Sequence, residues 1–465
     1  MPHSLTALFL GGLLFLSCTA GLSCRASAAE MTDLQAQAEE RKRLEISSNN
    51  TPGWPSGPRI GAEAAILMEA STGTILYAKN IHEQLFPAST TKILTCLIAI
   101  ENARLSDEIR FSEKAVMSLP PGSSNIGIDA GEAMTLETSL YGILVGSANE
   151  VSNAVAEHVG GSISAFVDMM NARAASLGCV DSHFANTNGL PDETHVTSAY
   201  DLALIARAFF DHPLLARIAG TPSYHFQKTE KQKDDFTIRS KNKLVNGELP
   251  YDGIIGGKTG YTDLARETLV TCAERDGMRL ICVVLKEESP AQFTDTTTLF
   301  DYGFNNFRMA DVQKEETRFI PSIPEFESSK ALIFGNSTPF LSIGENRVIL
   351  PKSVNLNATD TRLTYTDDTF AVITYSWHDV TLGTAKLLLN ASASVPSRQS
   401  GPQTVTIRLF RILPWVYGIA GSFCLIVLII SLIRSWHFGG IKMADRKRLL
   451  RERRKRRREK LHLGD

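Results

Sequence analysis

Cysteine is scarce in this 465-residue chain, and so is any excess of charge. Of seven cysteines, Cys18 and Cys24 lie in an apolar N-terminal stretch and Cys424 in an apolar C-terminal one. The other four, Cys96, Cys179, Cys272 and Cys282, lack zinc-ligand spacing and are too sparse for a disulfide framework. They read as small buried hydrophobes, with a Cys272 to Cys282 pair across a hairpin left open. The formal net charge is only −2 and is unevenly spread. From Lys442 onward twelve Lys or Arg stand against four acids, a surplus of +8 that leaves about −10 on the remainder. An acidic body speaks against a nucleic acid or other polyanion as its partner. No internal repeat is visible.

Long apolar runs occur only at the two ends. Leu5 to Leu16, followed by the small residues Ala26-Ser27-Ala28, predicts a signal peptide over 1–28. Its n-region carries only His3, and the residues before Cys18 and Cys24 fit a lipidation box poorly. Ile412 to Ile433 is an uncharged segment of 22 residues. At about 1.5 Å per residue it is long enough to cross a hydrocarbon core of about 30 Å, which predicts a transmembrane helix. Arg411 and Arg434 bracket it, Trp415, Tyr417 and Trp436 suit the two interfaces, and the basic tail 434–465 belongs in the cytoplasm, where it would attract anionic lipid. These ends predict a single-pass cell-membrane protein with its body outside the cytoplasm.

Between the ends, residues 29–59 form a polar leader interrupted by Pro52, Pro55 and Pro58. Ala64 to Glu69 and Thr74 to Tyr77 flank the turn Ala70-Ser71-Thr72-Gly73 and predict a hairpin. Apolar spacing predicts helices over Ser89 to Arg104, Thr138 to His158, Ile163 to Leu177 and Ser198 to Phe210. Thr268 to Ala273 and Met278 to Leu285 read as strands joined at Asp276-Gly277. Helices standing between two hairpins predict an α/β domain over 60–311, an antiparallel sheet flanked by helices. After about Val312 the runs Ala331 to Phe334, Asn346 to Leu350, Leu363 to Thr366, Phe370 to Tyr375 and Ala385 to Leu389 predict a small β-sandwich over 312–390, with a polar linker over 391–411.

Three short motifs in order carry the chemistry: Ser89-Thr90-Thr91-Lys92, Ser147-Ala148-Asn149 and Lys258-Thr259-Gly260. Each alone is weak; the ordered trio is not. A serine at a helix N-terminus with lysine three residues on puts both side chains on one face, about 4.5 Å apart along the axis. Serine needs a base, and lysine, ordinarily protonated, serves only if its pKa falls. Burial, the helix N-terminus and Lys258 as a nearby cation would lower it. Ser89 is therefore the candidate nucleophile and Lys92 its base. Ser147, placed with Asn149 in a loop or short turn between helices, can relay a proton to a departing amine, and the Asn149 amide can hold substrate or Lys92. Lys258 and Thr259 can bind a substrate carboxylate, Gly260 permits close approach, and the main-chain N–H groups of Ser89 and Tyr261 can form an oxyanion hole. No metal or cofactor is called for.

These motifs, with Phe86-Pro87-Ala88 before Ser89, Asn188-Gly189-Leu190, His195 and Asp276-Gly277-Met278-Arg279-Leu280, resemble the low-molecular-mass penicillin-binding serine D-Ala-D-Ala carboxypeptidases over about Ala62 to Asn306. The resemblance implies a DD-peptidase/β-lactamase-like fold, removal of the terminal D-alanine from peptidoglycan stem pentapeptides through an acyl-enzyme on Ser89, and inhibition by β-lactams. Lys241-Asn242 looks like the family's basic residue beside Asn, which implies that Lys241 helps to bind the terminal carboxylate. His195 resembles a recurrent family histidine and fits a loop-packing role. The chain departs from the family at Ala265-Arg266, where Ala-Gly is common, and at Gly256-Gly257. Two rivals remain: a membrane-bound β-lactamase, disfavoured by the lack of a Glu-x-x-Leu-Asn loop, and a catalytically silent wall-binding homologue, disfavoured by three intact motifs.

Overall fold

The computed structural model describes residues 33–229, 231, 233–318, 331–334, 338–342, 346–366 and 370–389. The predicted signal peptide, linker, transmembrane segment and basic tail lie outside them. Among the described residues no helix is long and apolar enough to cross a membrane.

The leader is more than a polar lead-in. Helix α1 (33–41) is followed by a 3₁₀ turn, and the segment then runs beside the first hairpin, β1 (Ala64–Glu69) and β2 (Ile75–Lys79). Trp54 Nε1 donates to Leu76 O at 2.9 Å and its ring lies 5.1 Å from that of Phe307, so one aromatic side chain staples leader to body. Lys79 Nζ donates to three main-chain carbonyls, that of Arg41 in the leader and those of Ile60 and Ala62 just after it.

A 3₁₀ turn, Ala88–Thr91, leads into α2 (Lys92–Asn102). Sequence periodicity marks a face of Ile93, Leu97 and Ile100, but every residue from Lys92 to Ala99 is buried, because the helices around α2 cover it on all sides. After β3 (Glu108–Arg110), α3 (Glu113–Met117) and β4 (Ala133–Thr135), the predicted helix over 138–158 is two helices, α4 (Leu136–Leu144) and α5 (Asn149–Gly160). The break falls where Gly146 is tucked against Gly142 O and Ile126, and where Ser147 takes φ 57°. Next come α6 (Ile163–Ser176), α7 (Ala199–Phe210), α8 (Pro213–Ala219), β5 (Ser223–Phe226) and β6 (Phe236–Arg239). Ser162 and Ser198 cap α6 and α7 by accepting main-chain N–H groups, and Gly161 at φ 73° ends α5.

Strands β7 (Ile254–Thr262), β8 (Arg266–Arg275) and β9 (Met278–Glu287) complete an antiparallel sheet of order β2-β1-β9-β8-β7, leaving β7 at an edge. Asp276 and Gly277, both at positive φ, make the β8 to β9 turn as their sequence predicts. All six residues of β1 are buried because both faces of the sheet are covered. Ala64, Ile66, Met68, Ile281 and Val283 join the core with α2 and α7; Ala65, Leu67, Leu280, Cys282 and Val284 join the opposite core with α9 (Ala291–Asn306). The same alternation rules out a Cys272 to Cys282 disulfide. Cys272 pairs with Ile281 and Cys282 with Thr271, so the two thiols point to opposite faces, and both are free.

The catalytic and β-rich regions are tied together. β10 (Phe307–Asp311) precedes α10 (Val312–Glu315) and pairs with β13 (Arg347–Pro351), across the boundary expected at 311/312. A second sheet has the order β11-β12-β16-β15-β14, from β11 (Ala331–Phe334), β12 (Thr338–Ser342), β14 (Asp360–Tyr365), β15 (Phe370–Trp377) and β16 (Val380–Leu389). Trp377 Nε1 donates to Pro52 O at 2.8 Å and Thr74 Oγ1 to Thr381 O at 2.9 Å, so leader, first hairpin and β-rich region share contacts.

Candidate active site

The 3₁₀ turn carrying Ser89 is squeezed between two glycines. A Cβ on Gly189, which sits at φ 84°, would lie 1.8 Å from Ala88 O; one on Gly260 would lie 2.8 Å from Ser89 N and 2.4 Å from Thr268 Oγ1. Only glycine permits this approach at either position. Thr268 Oγ1 donates to Pro87 O at 2.9 Å and fixes the turn to the sheet. Ala88 and Ser147 are held at φ 48° and 57°, left-handed values that cost a non-glycine residue roughly 1–2 kcal/mol. Such conformations persist where the surroundings over-determine them.

Lys92 is wholly buried, and its Nζ has three neighbours: Asn149 Oδ1 at 2.7 Å, Asn188 O at 2.7 Å and Ser89 Oγ at 3.0 Å. A neutral amine has two N–H donors and one lone pair. The two carbonyl oxygens can only accept, so they take both donors, and the lone pair is left facing the Ser89 hydroxyl. Burial, and next the charge of Lys258, hold the Lys92 pKa well below the ordinary lysine value. In its neutral form the side chain is aimed as a base.

Lys258 Nζ, also buried, donates to Ser147 Oγ at 3.0 Å and to Thr259 O at 2.8 Å. Burial, with Lys241 adding to it, lowers the Lys258 pKa to about 7. Asn149 opens α5 and its N–H donates to Ser124 O at 2.9 Å. Thr259 and Gly260 follow Lys258 along the edge strand, and Tyr261, half exposed, turns its ring outward beside Asp263. Lys241 is exposed, with Nζ 3.4 Å from Ser124 Oγ, so it stands at the rim of the cleft. Hydrogen bonds thus join Ser89, Lys92 and Asn149, and Lys258 and Ser147, while Gly260 approaches the Ser89 turn and Lys241 reaches Asn149 through Ser124.

Three participants escaped the sequence reading. Asn188 supplies a main-chain carbonyl to Lys92, and a carbonyl carries no residue signature; the Asn188-Gly189 turn is the only trace of it. Ser124 bridges Lys241 and Asn149 from a loop without regular structure. Glu150, buried, accepts from Ile126 N at 2.7 Å and pins that loop to α5; burial raises its pKa. His195 behaves as a packing residue. Its Nδ1 accepts from Ala185 N and Asn186 N at 3.0 and 3.3 Å, which leaves the proton on Nε2 to donate to Thr91 Oγ1 at 2.8 Å. Burial lowers its pKa to about 4. Among the described residues no group of His, Cys, Asp and Glu is placed to hold a metal ion.

The family profile described as D-alanyl-D-alanine carboxypeptidase matches residues 51–289. The chain belongs to that family. The contact between Ser89 and the buried Lys92 agrees with that membership. Its relatives include the D-alanyl-D-alanine carboxypeptidase DacF of Bacillus subtilis, 35% identical over 259 residues that make up 54% of this chain and 64% of the relative. Another is DacB2 of Mycobacterium tuberculosis, 32% identical over 54% of this chain and 84% of its own length. The match therefore spans slightly under two thirds of the first relative and most of the second. Among solved structures, penicillin binding protein 6B from Escherichia coli superposes with a TM-score of 0.56 at 26% identity, over 72% of this chain and 97% of that one. That span extends past the catalytic domain into the β-rich region.

Proposed function

We propose that this protein is a membrane-anchored serine D-alanyl-D-alanine carboxypeptidase that removes the terminal D-alanine from peptidoglycan stem pentapeptides. The observation that carries the proposal is the lone pair of Lys92 left facing Ser89 Oγ by two carbonyl acceptors. In acylation the Ser89 proton passes to Lys92 while Oγ attacks the carbonyl of the penultimate D-alanine. The oxyanion is held by the N–H groups of Ser89 and Tyr261, and Lys258, Thr259 and Lys241 hold the terminal carboxylate. As the C–N bond breaks, Ser147 gives its proton to the leaving amine and is refilled by Lys258. In deacylation water attacks the ester, its proton travels through Ser147 to Lys258, and Lys92 returns its proton to Ser89. Both lysines end as they began, and depressed pKa values on both make the exchange feasible near neutrality.

A β-lactam would acylate Ser89 in the same way, and slow hydrolysis of that ester separates a carboxypeptidase from a β-lactamase. Incubation with labelled penicillin should give an adduct on the Ser89 peptide that persists for minutes. A stem-pentapeptide mimic should release D-alanine, and Ser89→Ala should abolish both reactions. Fast turnover of penicillin would favour the lactamase reading, and D-alanine release by the alanine variant would reject the assignment.

The remaining parts of the proposal rest on the sequence. A cleaved signal over 1–28, a span over 412–433 and a cytoplasmic basic tail that meets anionic lipid would hold the catalytic body against the wall. The two C-terminal sheets are proposed to stack as a small sandwich, supported by the shared burial of Val348, Leu350, Ile373 and Leu382. Protease treatment of intact cells, expected to remove the body and spare the tail, tests the topology.

A further inference from the structure

A second group of buried charges, unused by the acyl-transfer chemistry, links the leader to the end of the substrate strand. Arg41, the last residue of α1, is fixed at both main chain and side chain. Its carbonyl accepts from Lys79 Nζ at 2.8 Å, its Nε donates to Gly61 O at 2.9 Å, and its Nη2 donates to Glu288 Oε1 at 3.3 Å. The other carboxylate oxygen of Glu288 accepts from Arg266, Nη2 at 2.6 Å and Nε at 3.1 Å. Side-chain exposure is 8% for Arg41, 14% for Glu288 and 23% for Arg266, so solvent screens the trio weakly.

Arg266 opens β8 directly opposite Thr262, the last residue of β7. Its guanidinium stands 5.7 Å from the ring centroid of Tyr261, and its Nη1 lies 3.4 Å from the Tyr261 hydroxyl. It is also held at φ 53°, a left-handed value that a non-glycine residue keeps only under external constraint. The two-point grip of Glu288 supplies that constraint, and a carboxylate seized from both sides by guanidinium groups cannot swing away.

We propose that Arg41 is a positioning residue for the carboxypeptidase reaction: through Glu288 it fixes Arg266, and with it the end of β7 that presents the Tyr261 N–H to the oxyanion. This inference rests on the acyl-transfer reading above. The leader is then part of the working enzyme although it lies outside the three motifs. Because the effect falls on the geometry of the transition state, acylation should slow while the initial non-covalent encounter with a β-lactam is unchanged.

The test uses the full chain, with rapid-mixing measurement of labelled-penicillin binding and acylation, and thermal unfolding alongside. Arg41→Gln should lower the acylation rate constant about tenfold with little change in the non-covalent dissociation constant, as expected for a small misplacement of a donor. Arg41→Lys, whose ammonium still meets Glu288, should recover most of the rate. Glu288→Gln should match Arg41→Gln, and the double variant should be no slower than either single one. Trp54→Phe, which loosens the leader elsewhere, should lower the melting temperature and leave acylation unchanged. A folded Arg41→Gln chain that acylates at the wild-type rate overturns the proposal, as does a loss that merely follows melting temperature and is not rescued by lysine. A wild-type chain that takes no label overturns the acyl-transfer reading and this inference with it.

Discussion

Lys79 and Lys92 are both buried lysines with three polar neighbours, yet only one is built to be a base. Lys79 faces three main-chain carbonyls, all acceptors, so every neighbour calls for a donated N–H and the ammonium form is the one that satisfies them. Asp295 and Glu287 oppose the effect of burial, and its pKa falls only to about 8. Lys92 faces two carbonyls and one hydroxyl, and the charge that acts on it most is another cation, Lys258. Burial alone does not make a general base. What makes one is a partner that can give up a proton, together with a neighbouring cation whose effect outweighs that of the nearby carboxylate, Glu150.

The largest difference between the two sites should appear on truncation. Lys92→Met should slow acylation of the folded protein by about 10³-fold, within the range expected for loss of a general base, besides the stability lost by leaving two carbonyls without a donor. Lys79→Met should cost stability alone, because it leaves three carbonyls without donors at roughly 1–3 kcal/mol each; the molecules that remain folded should still take label. Equal loss of acylation in both variants, measured on folded protein, would erase the distinction.

Next in size is an effect on pH dependence. Lys258 loses its proton at about 7 in the free enzyme, so penicillin acylation should decline as pH rises through that value. Lys258→Arg, which stays charged, should remove the basic limb even if it lowers the maximum.

A smaller effect concerns stability in acid. The folded pKa of His195 is about 4 against an ordinary 6.5, so the folded chain binds fewer protons than the unfolded one between those values. Stability should therefore fall as pH drops from 6.5 towards 4, by roughly 3 kcal/mol at most. His195→Gln should flatten that part of the curve in a denaturant titration series. An unchanged slope would show that His195 is not the neutral, doubly accepting ring described.

Much of the site was legible because its chemistry resides in side chains at fixed spacing. Ser89 and Lys92 meet because three residues make nearly one helical turn, and Asp276-Gly277 announced the β8 to β9 hairpin, on whose β8 side the Lys258 strand pairs. What was hidden depends on main-chain geometry. The apolar spacing from Thr138 to His158 continues through Gly146 and Ser147, and only the reading of Ser147 with Asn149 as a loop or short turn between helices anticipated the break that turns Ser147 towards Lys258. Asn188 acts through its carbonyl. The leader looked like a polar lead-in because its anchors, Arg41 and Trp54, bind main-chain carbonyls far along the chain. β12 was missed since Pro339 interrupts a short run, although an antiparallel strand with β11 and β16 as neighbours accommodates it. The Cys272 to Cys282 pair, left open by the sequence, is excluded by the register of the β8 to β9 hairpin.

Direct observation of the Lys92 amine would decide most. In ¹⁵N-lysine-labelled protein, with the Lys92 signal assigned by its loss in Lys92→Arg, the resonance should be that of a neutral amine at pH 7 and should move to the ammonium position only in acid. An ammonium signal for Lys92 at pH 7 in the active, penicillin-reactive enzyme would contradict the assignment of this side chain as the base for Ser89.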